Sequence, residues 1–142
     1  ELMEHEENTA GGIMLNEFVV LPPDMTADDA LAQIRAQAED LEYIYYVYVL
    51  DAAEKPLGIV SLRDILAAKP GQTLADIMNE NLKTVAVDAP VDEVLDLAEK
   101  YGLLAVPVLD EDGAMAGVVT ADDMLSLSLS FALRWKRIGR HA

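Results

Sequence analysis

The sequence contains no cysteine. Disulfides, thiolate catalysis and cysteine-held metals are therefore excluded, and a reducing compartment fits. Histidine is nearly absent as well: His5 and His141 are the only two, at opposite ends of the chain. That excludes a histidine-based triad or zinc site built within it. No apolar run reaches the ~18 residues a membrane-spanning helix needs, and no signal peptide is expected. Positive charge is scarce over most of the length. All 26 acids fall in residues 1–123, together with only six of the ten bases. Residues 124–142 carry no acid and the remaining bases, Arg134, Lys136, Arg137 and Arg140.

Each scarcity narrows the function. An acidic body repels a phosphate backbone, which excludes sequence-independent nucleic-acid binding, and it attracts cations. A basic end after a Leu-rich stretch resembles a juxtamembrane cytoplasmic segment, and Trp135 among the bases fits either a membrane interface or a plain tail. No nucleophile–base constellation is recognisable, so no catalytic residue is assigned. What the chain does have is apolar material, 52% of 142 residues. That is enough for one real core burying about two thirds of the unfolded surface. The first residue is Glu1 rather than Met, which reads as a piece of something longer.

A repeat organises the middle. Leu57-Gly58-Ile59-Val60-Ser61-Leu62-Arg63-Asp64-Ile65-Leu66 and Ala116-Gly117-Val118-Val119-Thr120-Ala121-Asp122-Asp123-Met124-Leu125 share the skeleton Gly-apolar-apolar-Ser/Thr-x-x-Asp-apolar-Leu, 59 residues apart. Val47–Asp51 matches Val106–Asp110 at the same spacing. Further upstream the spacing is 64–66: Gly12-Ile13-Met14 resembles Asp76-Ile77-Met78, and Val19-Val20-Leu21-Pro22 resembles Val85-Ala86-Val87-Asp88. The first copy thus holds about five extra residues, expected around Glu39–Tyr43. A long unit present twice fits two fused copies packed on each other, not an open solenoid.

Each copy reads as a short strand, a helix, a β-hairpin and a second helix. Thr26-Ala27-Asp28-Asp29 and Asp88-Ala89-Pro90 are helix starts, and Ala30, Leu31, Ile34 and Leu41, then Val94, Leu95, Leu97, Ala98 and Tyr101, recur at helical spacing. The hairpin strands are expected at 44–50 and 57–61, and at 105–109 and 115–120. Gly113 supplies the positive φ of the second turn. Thr73-Leu74-Ala75-Asp76 caps a short helix after the linker Lys69-Pro70-Gly71-Gln72. Ser126–Phe131 alternates with period two, yet with no turn signal after Asp122 a continuing helix is expected there.

These residues resemble a tandem pair of CBS domains, over roughly Met14 to Leu125. The resemblance implies an α/β (α+β) fold in which two β-α-β-β-α repeats pack about a pseudo-two-fold axis, with an adenine-nucleotide cleft between them. It also implies pairing into a homodimer and regulation of an attached enzyme, channel or transporter. Glu6-Glu7-Asn8-Thr9-Ala10-Gly11-Gly12-Ile13-Met14, Tyr101-Gly102-Leu103-Leu104-Ala105-Val106-Pro107-Val108 and Val119–Met124 are similar to the MgtE-type magnesium transporters. In that family the region is a cytoplasmic magnesium sensor joined to a transmembrane domain of the same chain. The implied division is 1–13 as the end of a preceding acidic helical domain or linker, 14–70 as repeat one, 71–127 as repeat two, and 128–142 as a basic connecting segment. The same repeat equally fits a regulatory module of another transporter or of a soluble enzyme, controlled by adenine nucleotide.

Candidate sites follow from the resemblance. Ser61 with Asp64, and Thr120 with Asp123, are the implied nucleotide positions, because a carboxylate accepts from two vicinal ribose hydroxyls and helix N-terminal amides favour phosphate. The same spacing also serves simply to cap a helix. Tyr46 is the implied adenine-stacking residue, with Arg63 beside Asp64; ordinary strand packing is its bland alternative. Asp92, Glu93, Asp122 and Asp123 are the implied Mg²⁺ ligands, since magnesium keeps several waters and needs few carboxylates. A solvated acidic face is the alternative for each. Gly102 and Ser126 depart from the family, which often has Asp there. ATP or another adenine nucleotide and Mg²⁺ are thus the expected ligands, and the cytoplasmic face of a membrane the expected location.

Overall fold

The computed structural model describes residues 8–39 and 46–126. The first copy runs α1 (Ala10–Ile13), β1 (Val19–Leu21), α2 (Ala27–Gln37), β2 (Tyr46–Leu50), β3 (Pro56–Ser61) and α3 (Leu62–Ala67). The second runs α4 (Leu74–Ile77), β4 (Val85–Ala86), α5 (Val91–Tyr101), β5 (Ala105–Leu109), β6 (Met115–Thr120) and α6, helical over residues 121–126. The expected α/β architecture of two repeats is what the chain adopts. Each copy makes a three-stranded sheet, ordered β1-β2-β3 and β4-β5-β6, with a parallel pair followed by an antiparallel hairpin.

Local chemistry sets the boundaries. Thr26 accepts from the Asp29 amide at 3.2 Å, and Asp28 and Asp29 lie in the first turn of α2, where the helix dipole favours acids. Ala27, Ala30 and Ile34 turn inward at helical spacing. Thr73 and Asp76 form a reciprocal capping box on α4: the Thr73 amide donates to Asp76 Oδ2 at 2.9 Å, and the Asp76 amide donates to Thr73 Oγ1 at 3.4 Å. Pro90 stands just before α5 with extended backbone, and Gly102 ends that helix in the left-handed region at φ 63°. The hairpin turns match as well: Asp51 Oδ1 accepts from the amides of Ala53 and Lys55, and Asp110 Oδ1 from those of Asp112 and Ala114.

Strand register fixes the correspondence between copies. Leu21 pairs with Val49 as Val85 pairs with Val108. The leading half of each copy is therefore offset by 64 and the hairpin half by 59. This corrects the alignment of Val19 with Val85: Leu21 is the counterpart. A two-residue slip keeps every side chain on the same face of a strand, so alternation alone does not detect it. The extra residues of the first copy lie between Gln37 and Tyr46, the interval holding the expected 39–43. Tyr43, the start of the expected strand at 44–45, and the Ser126–Phe131 alternation past residue 126 lie outside the described residues, as do His5, His141, Trp135 and the basic segment 128–142.

The isolated bridges obey the same two offsets. Leu15 pairs with Val118 and Asn79 with Ile59; Thr26 pairs with Thr73 and Pro90 with Thr9. Every one of these crosses between copies. Accordingly Leu74 of α4 is buried among Val19, Val47 and Val60 of the first copy, while Ala10 of α1 is buried among Val85, Val106 and Val119 of the second. Close approach demands glycine where each lead crosses: a Cβ on Gly58 would stand 2.6 Å from Met78 Sδ, and one on Gly117 2.6 Å from Met14 Sδ. A third cluster, Tyr48, Ala105, Met115 and Val118, joins the two sheets face to face.

Candidate functional site

The pairing brings the ends of the two hairpins together. Ser61 closes β3 opposite Tyr46, and Thr120 closes β6 opposite Ala105. Each hydroxyl then caps the following helix: Ser61 Oγ accepts from the Asp64 amide at 3.1 Å, and Thr120 Oγ1 from the Asp123 amide at 3.4 Å. The bland capping role is thus present in both copies, and it places a carboxylate beside each hairpin end. Tyr46 crosses between copies, because the Leu104 amide donates to its hydroxyl oxygen at 3.4 Å. A hollow opens where Tyr46 and Thr120 face one another across the two hairpins.

The hollow is lined by Glu17, Phe18, Val19, Tyr46, Tyr48, Ala105, Val118 and Thr120. Phe18 and Tyr46 both meet the Tyr48 ring edge-on, at 6.3 and 6.5 Å. Tyr48 is only 2% exposed, and among the described residues its hydroxyl has no hydrogen-bond partner. Burial, and secondarily the neighbouring Tyr46, push its ionisation well above the ordinary phenol value.

The predicted residues divide. Ser61 stands opposite Tyr46 at the end of the first hairpin, with Arg63 and Asp64 in the helix after it; Tyr46 and Thr120 line the hollow, and Asp123 follows Thr120 in α6. The two aspartates differ. Thr120, 2% exposed, donates its hydroxyl to Asp123 Oδ2 at 3.1 Å, so that carboxylate is already engaged. Asp64 is exposed, and its carboxylate accepts no hydrogen bond among the described residues.

Asp92 and Glu93 lie exposed in the first turn of α5, and Asp122 and Asp123 open α6. Among the described residues no three acidic or imidazole side chains gather closely enough to hold a metal ion. Gly102 ends α5 with a left-handed backbone, a conformation glycine adopts without strain. Sequence reasoning missed Glu17, Phe18 and Tyr48 as cleft-lining residues, and the Leu104 amide as the partner of Tyr46. The position of Glu17 and Phe18 just before β1 was the available signal, since residues at strand ends face an inter-sheet mouth.

Comparison with known proteins agrees with this fold. The CBS domain matches residues 10–71 and again residues 74–130. The magnesium transporter MgtE of Thermus thermophilus is 40% identical over 126 residues, 89% of this chain. The chain spans 28% of that protein's length. The structure of the cytosolic domain of the Mg²⁺ channel MgtE in complex with ATP superposes with a TM-score of 0.84 at 40% identity, covering 87% of this chain and 50% of that one. The soluble part of a magnesium transporter superposes at 0.86 with 38% identity, covering 90% and 50%.

Proposed function

Since the chain belongs to the CBS-domain family as a tandem pair, we propose that it is the cytoplasmic regulatory module of a magnesium transporter, which senses divalent cation and adenine nucleotide and gates ion transport. The observation that carries this is the 40% identity to MgtE, with the ATP-bound cytosolic domain as a structural neighbour. The nucleotide lies in the cleft of Tyr46, Ser61, Arg63 and Asp64: adenine against the Tyr46 ring, ribose on the Asp64 carboxylate. The module performs no reaction itself. Among the described residues no helix is long and apolar enough to cross a membrane; the pore that the module regulates is a transmembrane domain of the full-length protein.

Cation sensing follows from electrostatics. Asp92, Glu93, Asp122 and Asp123 are the ligands, brought together when modules close and pair. Their repulsion opposes closure, and a divalent ion between them reverses its sign. The homodimer uses α3 and α6, where Leu66 and Leu125 stand at equivalent positions, 67% and 60% exposed; two-fold closure covers both.

Calorimetry with ATP tests the cleft. Asp64→Ala weakens binding by more than Asp123→Ala does, by about 1–3 kcal/mol for one lost acceptor. No heat with any adenine nucleotide refutes the assignment. Melting with millimolar MgCl₂ against ionic-strength-matched NaCl tests the sensor: magnesium raises Tm further, and Asp92→Ala or Asp123→Ala shrinks the difference. Equal shifts with both salts mean screening alone and overturn the sensor. Light scattering that finds only monomer in magnesium overturns the pairing.

A further inference from the structure

Sulfur occurs in this chain only as the thioether of methionine, and of its six methionines Met14 and Met78 stand apart. They are counterparts under the 64-residue offset, and each ends a one-turn helix. The Met14 amide donates to the Ala10 carbonyl at 2.9 Å, and the Met78 amide to the Leu74 carbonyl at 2.8 Å. The backbone is extended at both, with φ −69° and ψ 152° at Met14 and φ −70° and ψ 151° at Met78. Each side chain lies on the other copy's hairpin. Sδ and Cγ of Met14 would stand 2.6 and 2.8 Å from a Cβ on Gly117, and those of Met78 at the same two distances from a Cβ on Gly58. The next residue in each lead makes the bridge between copies, Leu15 with Val118 and Asn79 with Ile59. Met14 and Met78 are half-buried, whereas Met115 and Met124 are buried, so a small reagent meets the first pair before the second.

A thioether takes one oxygen from hydrogen peroxide. The sulfur lone pair attacks one peroxide oxygen, an S–O bond forms and the O–O bond breaks. The sulfur gives up two electrons, and the other oxygen leaves as water, carrying the proton of the first. The sulfoxide is larger than the thioether, polar, and an acceptor of hydrogen bonds. Neither contact has room for it, because the space above each glycine does not hold even one more methyl group. Above Gly117 the Leu15 carbonyl oxygen crowds the same point, at 2.7 Å. The bridges offer no donor either: the amides of Leu15 and Val118, and those of Asn79 and Ile59, already donate to one another's carbonyls.

We propose that Met14 and Met78 are a redox-sensitive clasp between the two copies: oxidation to the sulfoxide drives each side chain off its glycine and releases the lead that carries it. Met14 responds more than Met78, because a fixed carbonyl stands beside it. With no thiol to compete, the thioethers are the sulfur that peroxide meets. Met25, also half-buried but in neither glycine contact, is the internal control.

The experiment treats this chain, folded, with hydrogen peroxide and follows oxygen uptake by peptide mass mapping alongside amide hydrogen exchange. Met14 and Met78 gain one oxygen each before Met115 and Met124 do. The Leu15, Val118, Asn79 and Ile59 amides then exchange faster by about tenfold or more, the scale of one overpacked contact. Methionine sulfoxide reductases return the slow exchange. Met14→Leu with Met78→Leu keeps apolar bulk over both glycines, so its four amides stay slow in peroxide while Met25 is still oxidised. Sulfoxide at both positions with the four amides unchanged overturns the proposal. So does the absence of oxygen at either position under conditions that oxidise Met25, or the same loosening in the Leu variant, which assigns it to another group. If the Leu variant does not fold, wild type decides alone: exchange that stays fast after the sulfoxides are reduced overturns the clasp.

Discussion

Gly58 and Gly117 occupy equivalent places, yet adding one methyl group to each has unequal cost. At Gly117 the new Cβ meets Met14 Sδ at 2.6 Å and the Leu15 carbonyl oxygen at 2.7 Å. That carbonyl is fixed, because it accepts from the Val118 amide at 2.9 Å and the Leu15 amide donates back to Val118 at 2.7 Å. Reaching an ordinary contact of 3.4 Å or more pushes the lead segment off β6 and weakens both bonds. At Gly58 the three nearest atoms all belong to the Met78 side chain, whose thioether can rotate away. Overpacking costs about 1–3 kcal/mol, and a strained hydrogen bond adds about 1 kcal/mol. We expect Gly117→Ala to cost about 2–3 kcal/mol and Gly58→Ala about 1 kcal/mol or less, since alanine also recovers part of the backbone entropy glycine loses. At about 3 °C per kcal/mol for a chain of this size, the Tm values differ by about 3–6 °C. Thermal and urea unfolding read this directly. A double-mutant cycle adds a sharper criterion. Met78→Ala removes most of the Gly58→Ala penalty, whereas Met14→Ala leaves much of the Gly117→Ala penalty because the carbonyl remains. Equal costs at the two glycines, or full relief by Met14→Ala, refute the reasoning.

Other outcomes can be measured on the same preparation. Tyr48→Phe removes a buried hydroxyl that has no partner among the described residues and raises stability by about 1 kcal/mol; a loss of stability instead means the phenol is paired. Because the folded state holds the Tyr48 ionisation above the ordinary 10.0, stability is full below pH 10.0 and declines above it, and Tyr48→Phe flattens that alkaline limb in a pH series of melts. Asp76 behaves oppositely: hydrogen bonds from the Thr73 amide and hydroxyl hold its carboxyl below the ordinary 3.8. Its contribution is present above pH 3.8 and is lost as pH falls through the lower folded value, so Asp76→Asn makes the acid limb shallower. An unchanged acid limb in that variant means the capping box contributes nothing in solution.

The hairpins and helix starts were legible in the sequence because each depends on neighbours in the chain. Ser61 and Thr120 followed three residues later by Asp, the Thr73–Asp76 box and Gly113 all act within a few positions, and the structure has each where the spacing places it. The alignment of β1 with β4 was off by two residues because a strand repeats every two, and only pairing with the hairpin fixes it. The cross-copy bridges were invisible for a different reason. Leu15 to Val118 and Ile59 to Asn79 join segments whose affinity for one another is backbone hydrogen bonding, which no side-chain pattern encodes. At the site, Asp64 and Tyr46 came from resemblance, but that Asp64 is open and Asp123 engaged depends on one rotamer of Thr120, which spacing does not specify.

The crossed leads decide how mechanical load travels. Residue 8 begins the described chain beside the second copy: its carbonyl accepts from Val91, and the amides of Ala10, Gly11 and Leu15 donate to Ala89, Val87 and Val118. Tension from any segment upstream is therefore borne by α5 and β6 before it reaches the first copy. The loop after α3 works in mirror image, for α4 is anchored to β3 through Ile59 and Asn79. Severing the chain near Gly71 would leave two halves, each lacking the clasp that the other carries. Mixed together, they have complementary arms to exchange and regain the whole; kept apart, each exposes the trough its partner's arm had filled.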